Sequence, residues 1–280
     1  SIVSDSNHWM FLSSTGGLSA GRKNSEFALF PYYTDDKITE SAEFTGSKTI
    51  CLVERGGKVS LWEPFSSKYD GVYKVSRNLY KNAYGNKIRF EEVNHDLGLT
   101  FTYDWNSSDK YGYVRKSALT NNGSDQVTVR FADGLQNLMP YGVETALQQA
   151  SSNLVDAYKK CELEKESGLG LFSLSAVIVD KAEPSEALRV NVAWSLDRPN
   201  STKLLCSKQL DAFRKGAVPT QEVDIKAERG AYFVCDEVNL AAGASEAWSI
   251  VADVNKGPVE VADLMAALSD PAALKAEGLA

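Results

Sequence analysis

Most of this chain alternates hydrophobic and polar residues in short segments, which is the pattern of half-buried β-strands. In the segment 189–194, for example, Val190, Val192 and Trp194 fall on one face of an extended backbone. More than ten such segments occur with few helical patterns between them, as is typical of a β-sandwich or barrel. Because one open sheet of so many strands would be unusual, the pattern favours two packed antiparallel sheets.

The clearest β region runs from Lys87 to Phe131, where four β-rich segments are separated only by short polar turns. Parallel strands need a crossover of a dozen or more residues, so these four segments are predicted to form an antiparallel meander. Residues 121–124 are asparagine, glycine and serine, which tolerate positive φ. They predict a tight hairpin before the fourth strand.

Three segments break the β pattern. Residues 143–165 carry apolar side chains at three- and four-residue steps, which predicts one amphipathic helix packed across a sheet face. The stripe consists of Val143, Leu147, Ala150, Leu154, Ala157 and Cys161.

A second, shorter helix is predicted from Ser207, as the N-cap, to Lys215, with Gly216 as the stop. The third helical segment is a tail, residues 256–280, after a β domain over residues 1–255. The tail either packs back on the sandwich or leads to another domain. Its end, AALKAEGLA, contains no stop signal, and this favours the second alternative.

Composition narrows the class of protein. In 280 residues, 43% are hydrophobic, which is enough for a full core. The formal charge of −7 disfavours a nucleic-acid partner, which needs a basic surface. No apolar run approaches the roughly 20 residues that cross a bilayer, so we expect no membrane partner. The compartment stays open, with a cytoplasmic location slightly favoured over a periplasmic or secreted one.

The four cysteines, Cys51, Cys161, Cys206 and Cys235, are widely spaced and lie in apolar segments. We expect buried free thiols rather than a disulfide framework, because a chain of this length forms its own core. A zinc site is disfavoured, since no histidine lies at a useful spacing from any cysteine. No metal or other cofactor is predicted.

The first candidate for chemistry is the glycine-rich loop 13–24 and the segment after it. The loop lacks the spacing of a phosphate-binding motif, but Arg22 offers a planar fork for a carboxylate or phosphate. Further on, two tyrosines precede Asp35 and Asp36, and rings beside acids would suit a carbohydrate. The alternative is a β-turn with solvated charges. Adjacent acids on a strand point to opposite faces, so only a turn could pair these two.

Two histidines form the second candidate. An epimerase would need a histidine acid and a carboxylate base facing one pocket, and this chain has only His8 and His95. His95 lies in the turn-forming run Asn94-His95-Asp96, and His8 lies near the amino terminus, so both have non-catalytic explanations.

The third candidate is the segment 133–142. Its polar residues either hydrogen-bond a sugar or cap the ends of a strand and a helix, and we favour capping. They are Asp133, Gln136, Asn137 and Tyr141.

Taken in order, these segments resemble the N-terminal β-sandwich domain of the cellobiose phosphorylase-like glycoside phosphorylases. This domain is a supersandwich of galactose mutarotase-like type. The loop SSTGGLSAGR resembles the family's opening loop, and GSKTICLVERGGKVSLWEPF resembles its strand–turn–strand element with Trp62 and Pro64. The segment from IRFEEVNHDLGLTFTYDW to ALTNNGSDQVTVRF resembles its meander. The family's usual Tyr-Ser-Arg run is absent from the opening loop, and the long predicted helix is not a family feature.

The resemblance implies a mainly β, two-sheet antiparallel supersandwich with one packed helix and a helical tail. It also implies a non-catalytic module whose partners are a carbohydrate, an (α/α)6 catalytic barrel of the same protein and, in some assemblies, a second copy. The module would shape one wall of a sugar site or mediate assembly. The residues expected on that wall are Arg22, Asp35, Asp36 and Trp62. The alternatives are a stand-alone aldose epimerase that uses His8, His95 and a nearby glutamate, or a carbohydrate-binding module with a row of exposed aromatic rings.

Overall fold

The computed structural model describes residues 1–2, 4–150, 153–176 and 188–279. The strands are β1 (His8–Leu12), β2 (Leu18–Arg22), β3 (Ala28–Phe30), β4 (Gly46–Arg55), β5 (Lys58–Trp62), β6 (Val75–Lys81), β7 (Ile88–Asn94), β8 (Leu99–Ser108), β9 (Gly112–Asn121), β10 (Val127–Leu138), β11 (Lys159–Glu164), β12 (Leu169–Leu174), β13 (Val190–Leu196), β14 (Thr202–Leu204), β15 (Asp224–Lys226), β16 (Gly230–Leu240) and β17 (Ser245–Lys256). The α-helices are α1 (Asp35–Glu40), α2 (Thr145–Ala150), α3 (Asn153–Tyr158), α4 (Leu210–Arg214), α5 (Pro258–Leu268) and α6 (Pro271–Leu274).

Two large antiparallel sheets make up the sandwich. The larger has nine strands in the order β15-β11-β12-β13-β17-β9-β8-β7-β6, and the smaller has five in the order β14-β16-β10-β4-β5. A third sheet, β1-β2-β3, is formed by the amino-terminal segment. The expected two-sheet antiparallel sandwich is confirmed, and the small amino-terminal sheet is an addition to it.

The main core lies between the two large sheets, where alternate residues of facing strands meet. On the nine-stranded sheet, β8 contributes Phe101 and Trp105, and β17 contributes Trp248. The Trp248 ring stacks on Phe131 of β10, with ring centres 4.3 Å apart, and so joins the two sheets. Aromatic side chains bury large areas, so these rings supply much of the hydrophobic stabilisation of the sandwich.

A buried ion pair crosses the same core. Arg115 on β9 donates two hydrogen bonds to the carboxylate of Asp133 on β10, at 2.8 and 2.9 Å, and both side chains are fully buried. The carboxylate also accepts from the hydroxyl of Thr49 and the indole N–H of Trp248. The guanidinium lies over the Tyr103 ring, 4.7 Å from its centre. Because its partners lie on both large sheets, this cluster fixes how the sheets sit against each other.

The meander prediction is confirmed for three strands and wrong for the fourth. Strands β7, β8 and β9 are consecutive antiparallel neighbours, but β10 lies between β4 and β16 in the other sheet. Residues 121–124 therefore connect the two sheets and do not form a hairpin. The buried Asn121 amide holds this connection in place, since it donates to the carbonyls of Leu240, the last residue of β16, and of Ala241 in the following turn.

The single long helix predicted over 143–165 is wrong. The segment forms α2 and α3 and then strand β11, in which Lys159, Cys161 and Leu163 are buried at every second position. Leu154 of the predicted stripe is 62% exposed, whereas its neighbour Val155 is buried. After residue 158 the chain forms a strand and not a helix, because β11 pairs with both β12 and β15 and buries every second side chain.

The carboxy-terminal tail is helical, as predicted, and it packs on the outer face of the nine-stranded sheet. Its buried residues Leu264, Leu268 and Leu274 form one apolar cluster with Trp194 and Tyr111. The predicted face of β13 is confirmed here, since Val192 belongs to the same cluster. Part of the β segment expected at 170–180 lies outside the described residues, which end there at 176.

Two smaller predictions concern α4 and the cysteines. Helix α4 stops at Gly216, whose φ is +96°, as predicted, but its N-cap is Gln209 and not Ser207. All four cysteines are buried free thiols, as expected. Burial raises the pKa of the Cys206 thiol to about 11, so this thiol is protonated and unreactive at neutral pH. No helix in the described part of the chain is long and apolar enough to cross a membrane.

Replacing Arg115 with methionine is expected to lower the free energy of unfolding by about 3–5 kcal/mol, because the Asp133 carboxylate would be buried without its partner. Urea unfolding followed by tryptophan fluorescence measures the change. The control is Arg189→Met, which removes a half-exposed pair with Glu260 and is expected to cost less than about 1 kcal/mol. Equal losses in the two variants would contradict the role given to the buried pair.

Candidate functional site

A polar cavity of about 610 Å³ opens at one end of the nine-stranded sheet. It lies between the amino-terminal segment, the turn joining β6 to β7, and the ends of β8 and β9. Its lining is almost entirely amide, hydroxyl and carboxylate. The principal lining residues are Ser6, Asn82, Asn86, Asn106, Ser108 and Asp109.

The turns around this polar cavity are held by their own side chains. The Asn82 amide donates to the Asn86 side-chain oxygen at 2.6 Å, and its own oxygen accepts from the Lys87 backbone N–H. At the other turn Gly112 has a φ of +96°, and a Cβ atom there would lie 2.4 Å from the carbonyl of Ala252. Only glycine allows the β8–β9 turn to approach β17 this closely.

Arg22 braces one side of the polar cavity from behind. Its guanidinium donates to the buried carboxylate of Asp253 at 2.9 Å, to the carbonyl of Asp109 at 2.8 Å and to the side chain of Asn7. Lys256 makes a second ion pair with Asp253, at 2.7 Å. Arg22 thus positions the cavity residue Asp109, but its own donors are engaged within the protein. It is not itself among the lining residues.

His8 lies next to this brace. Its Nδ1 is hydrogen-bonded to the hydroxyl of Ser6, which lines the polar cavity, and its ring packs edge-on against Tyr113, 4.9 Å between centres. Burial, helped by the positive charge of Arg22, lowers the pKa of His8 from 6.5 to about 4. The imidazole is therefore neutral at neutral pH. Among the described residues its Nε2 has no hydrogen-bond partner.

The second histidine is remote from the first. His95 lies in the exposed turn between β7 and β8, where its Nε2 meets the Ser76 hydroxyl at 2.7 Å. Lys87, which lines the polar cavity, precedes β7, and His95 follows it, so the two ends are separated by about 25 Å at 3.3 Å per residue. The imidazoles do not face one pocket, as the two-histidine epimerase would require.

The paired acids begin a helix. Asp35 and Asp36 are the first residues of α1, and the exposed Asp36 carboxylate accepts from the Thr34 hydroxyl at 2.6 Å. This hydrogen bond lowers the pKa of Asp36. An acid in the first turn stabilises a helix through its dipole, so Asp36 fits the expected solvated charge, but the segment is helix α1 and not the expected β-turn.

Trp62 belongs to the core. It is 2% exposed, and its indole N–H donates to the buried carboxylate of Glu92 at 2.8 Å. Its ring offers no face to a ligand in this structure. The four residues expected on one sugar-site wall are therefore not brought together: Arg22 borders the polar cavity, the two acids start α1, and Trp62 lies inside the sandwich.

The polar segment 133–142 begins as strand and not as a loop. Residues up to Leu138 belong to β10, and Asp133 is fully committed to the buried ion pair. The Gln136 amide donates to the carbonyl of Glu43, and the Asn137 amide donates to the Thr45 hydroxyl. These three residues are therefore engaged within the protein, but Asp133 forms a buried ion pair and not the cap that was expected.

Sequence reasoning missed the residues that line the polar cavity. The turn sequences NAYGN (82–86) and NSSDK (106–110) are dense in amides, hydroxyls and acids, but such residues are also ordinary turn formers. No local signal shows that two turns 20 residues apart meet at one cavity. Among the described residues, no group of histidine, cysteine and carboxylate side chains has the arrangement of a metal site.

No protein-family model and no curated protein sequence matches this chain. Among solved structures it is similar to a polysaccharide lyase, with a TM-score of 0.51 and 10% identity over 91% of this chain and 33% of the lyase chain. A bacterial glucoamylase complexed with acarbose gives a TM-score of 0.51 and 10% identity over 94% of this chain and 32% of the other. A galactose mutarotase-like protein from Lactobacillus casei gives a TM-score of 0.47 and 11% identity, over 90% of this chain and 98% of the other.

At these identities the similarity concerns the fold. The expected two-sheet antiparallel supersandwich is confirmed as the fold of this chain, and it resembles part of the lyase and of the glucoamylase. The chain spans about a third of the length of the lyase and of the glucoamylase.

The low pKa of His8 predicts a pH-dependent contribution to stability. Unfolded His8 takes up a proton below pH 6.5, whereas folded His8 resists protonation until about pH 4, so its contribution is present above pH 6.5 and is lost as the pH falls towards 4. We expect wild type to lose more stability than His8→Gln over this window in urea unfolding, and the ring to titrate near pH 4 by NMR. His95→Gln is the control and should follow wild type. A His8 midpoint near 6.5 would contradict the prediction.

Proposed function

We propose that this chain is a non-catalytic sandwich module of a carbohydrate-active protein of glycoside phosphorylase or hydrolase type. In this proposal the polar cavity forms one wall of a saccharide site, and a helical catalytic domain of the same protein forms the rest. The observation that carries the proposal is the lining of the polar cavity by side-chain amides, hydroxyls, two carboxylates and one lysine. These groups hydrogen-bond to sugar hydroxyls as both donors and acceptors.

The size of the chain relative to its structural neighbours supports a module within a larger protein. It corresponds to about a third of a polysaccharide lyase and of a glucoamylase, so most of each neighbour lies outside the shared sandwich. The exposed apolar residues Val259 and Met265 on α5 fit contact with a further domain beside the tail.

The geometry of the two histidines supports a non-catalytic role over the epimerase. His8 and His95 lie near opposite ends of β7, so they cannot act on one substrate ring. An acid–base pair must reach its substrate within hydrogen-bonding distance. His8 lies near the carboxylates of Asp109 and Asp253, but Asp253 is paired with Arg22 and Lys256, and His8 does not itself line the polar cavity.

One observation favours a carbohydrate-binding module as the second candidate. Tyr84, 85% exposed, lies between the cavity-lining residues Asn82 and Asn86, and Tyr80 is also exposed. A ring at the edge of a polar site can stack on the apolar face of a sugar. This candidate predicts measurable glycan affinity for the chain alone, whereas the leading proposal assigns most of the affinity to the complete site.

The test is a titration of the chain with a panel of oligosaccharides, followed by backbone NMR. We expect shifts at Asn82, Asn86 and Asn106, and Asn106→Ala is expected to weaken binding about fivefold, the effect of one lost hydrogen bond of about 1 kcal/mol. Asn122→Ala is the matched control, because this exposed asparagine lies at the opposite end of β9. Saccharide-induced shifts that avoid the polar cavity would contradict the proposal, as would anomer exchange accelerated by the chain and abolished in His8→Ala.

A further inference from the structure

A second cavity, the aromatic cleft, lies at the free edge of the nine-stranded sheet and has a volume of about 570 Å³. Its apolar floor is formed by Phe65, Leu79 and Phe90, and charged residues stand on its rim, among them Glu40, Asp70 and Arg77. It shares no lining residue with the polar cavity. Ser14 and Thr15 of the glycine-rich opening loop also line it.

Phe65 is held in the aromatic cleft in a backbone conformation that phenylalanine rarely adopts. Its φ is +65°, in the left-handed region that favours glycine. The backbone N–H donates to the Glu92 carboxylate at 2.7 Å, and the ring packs edge-on against Tyr103, with centres 5.2 Å apart. Surrounding contacts therefore fix both the backbone and the ring of this residue.

The same buried carboxylate positions a guanidinium beside that ring. Glu92 accepts from Nε of Arg77 at 2.7 Å, in addition to the Phe65 amide and the Trp62 indole. Two of its three partners line the aromatic cleft. Trp62, which was expected on the sugar-site wall, does not line the aromatic cleft. It donates a hydrogen bond to Glu92, which in turn positions Phe65 and Arg77 in the cleft.

The rim of the aromatic cleft carries charges of both signs. Arg77 pairs with the Asp70 carboxylate at 3.2 Å, and the exposed Glu40 makes no ion pair within the described residues. A cationic ligand would meet Arg77, and an anionic ligand would meet Glu40 and Asp70. A neutral ligand with one apolar face and many hydroxyls satisfies the floor and the rim together, since carboxylates accept from hydroxyls and the guanidinium donates to them.

We propose that the aromatic cleft binds a pyranose ring of a saccharide, as a second contact separate from the polar cavity. The apolar face of the ring packs on Phe65 and Leu79, and its hydroxyls hydrogen-bond to Glu40, Asp70 and Arg77. The ligand class rests on the proposed function. The two cavities approach each other in the sequence, where Leu79 and Asn82 are three residues apart, but they share no lining residue, so variants of each test them separately.

The test titrates the full chain with maltose, cellobiose and lactose, and separately with tetramethylammonium, and maps contacts by backbone NMR. A saccharide that binds the cleft should shift the amide signals of Phe65 and Leu79. Leu79→Ser and Glu40→Gln are expected to weaken that binding about fivefold or more. Both side chains are exposed, so neither substitution removes core packing.

Matched controls come from the other sheet. Val59→Ser is the control for Leu79→Ser: Val59 lies on edge strand β5 and is 50% exposed, and Leu79 lies on edge strand β6 and is 46% exposed. Glu54→Gln is the control for Glu40→Gln, because it neutralises an exposed acid away from the cleft. Both controls should bind as wild type. Phe65→Gly removes the ring while permitting the positive φ, and it should abolish cleft binding in a folded chain.

The cleft proposal is overturned if Leu79→Ser and Glu40→Gln bind every saccharide as wild type does, or if only tetramethylammonium shifts the cleft signals. Shifts at neither cavity with any saccharide would overturn it too. Loss of binding in Asn106→Ala alone reports on the polar cavity and contradicts the cleft. Loss in the cleft variants alone supports the cleft and counts against the polar cavity.

Discussion

The ion pair between Arg115 and Asp133 is the fixed point of this sandwich. Apolar contacts between two sheets are non-directional and permit sliding, whereas a buried charge pair with every hydrogen bond made allows one arrangement. Aromatic rings connect this ion pair to the aromatic cleft. The guanidinium lies over Tyr103, and Tyr103 in turn packs against both Phe65 and Phe90 on the floor of the aromatic cleft. The geometry of a surface cavity is thus set from the centre of the core.

A second buried carboxylate orders the region around the polar cavity. Asp253, at the end of β17, holds Arg22 and Lys256, and through Arg22 it reaches Asp109 at the polar cavity. The small amino-terminal sheet is tied to the sandwich at this point. Each cavity is therefore supported by one buried acid, Asp253 behind the polar cavity and Glu92 behind the aromatic cleft. Asp36, which sequence inspection favoured, instead accepts a hydrogen bond from Thr34 at the start of α1.

Features that depend on local periodicity could be predicted from the sequence. Features that depend on which strand pairs with which could not. Alternation identified β7, β8, β9 and β13 and the buried face of the last, and helical spacing identified α5. Alternation alone could not show that β10 pairs in the other sheet, because its neighbours β4 and β16 lie far from it in the sequence. Helical spacing also gave a wrong prediction at β11. The apolar stripe from Val143 to Cys161 fits a helix, but Lys159, Cys161 and Leu163 fit the alternation of a strand equally well.

Candidate site residues were harder to predict for a related reason. A tryptophan beside a proline reads equally as a ligand platform or as core, and Trp62 proves to be core. Asn106 begins the turn-forming run NSSDK in the sequence, yet it lies on strand β8 and lines the polar cavity. The polar cavity forms where turns that are distant in the sequence meet, and a single sequence does not show which turns meet.

Strand β6 has a consequence that concerns solubility. It is the last strand of the nine-stranded sheet, it pairs only with β7, and most of its side chains are exposed. A bare edge of this kind is a template for pairing with another chain, and charged side chains such as Arg77 and Lys81 discourage such pairing. Arg77 also stands on the rim of the aromatic cleft. Under the cleft proposal the same guanidinium discourages edge pairing and holds the ligand, so a substitution of Arg77 changes both properties.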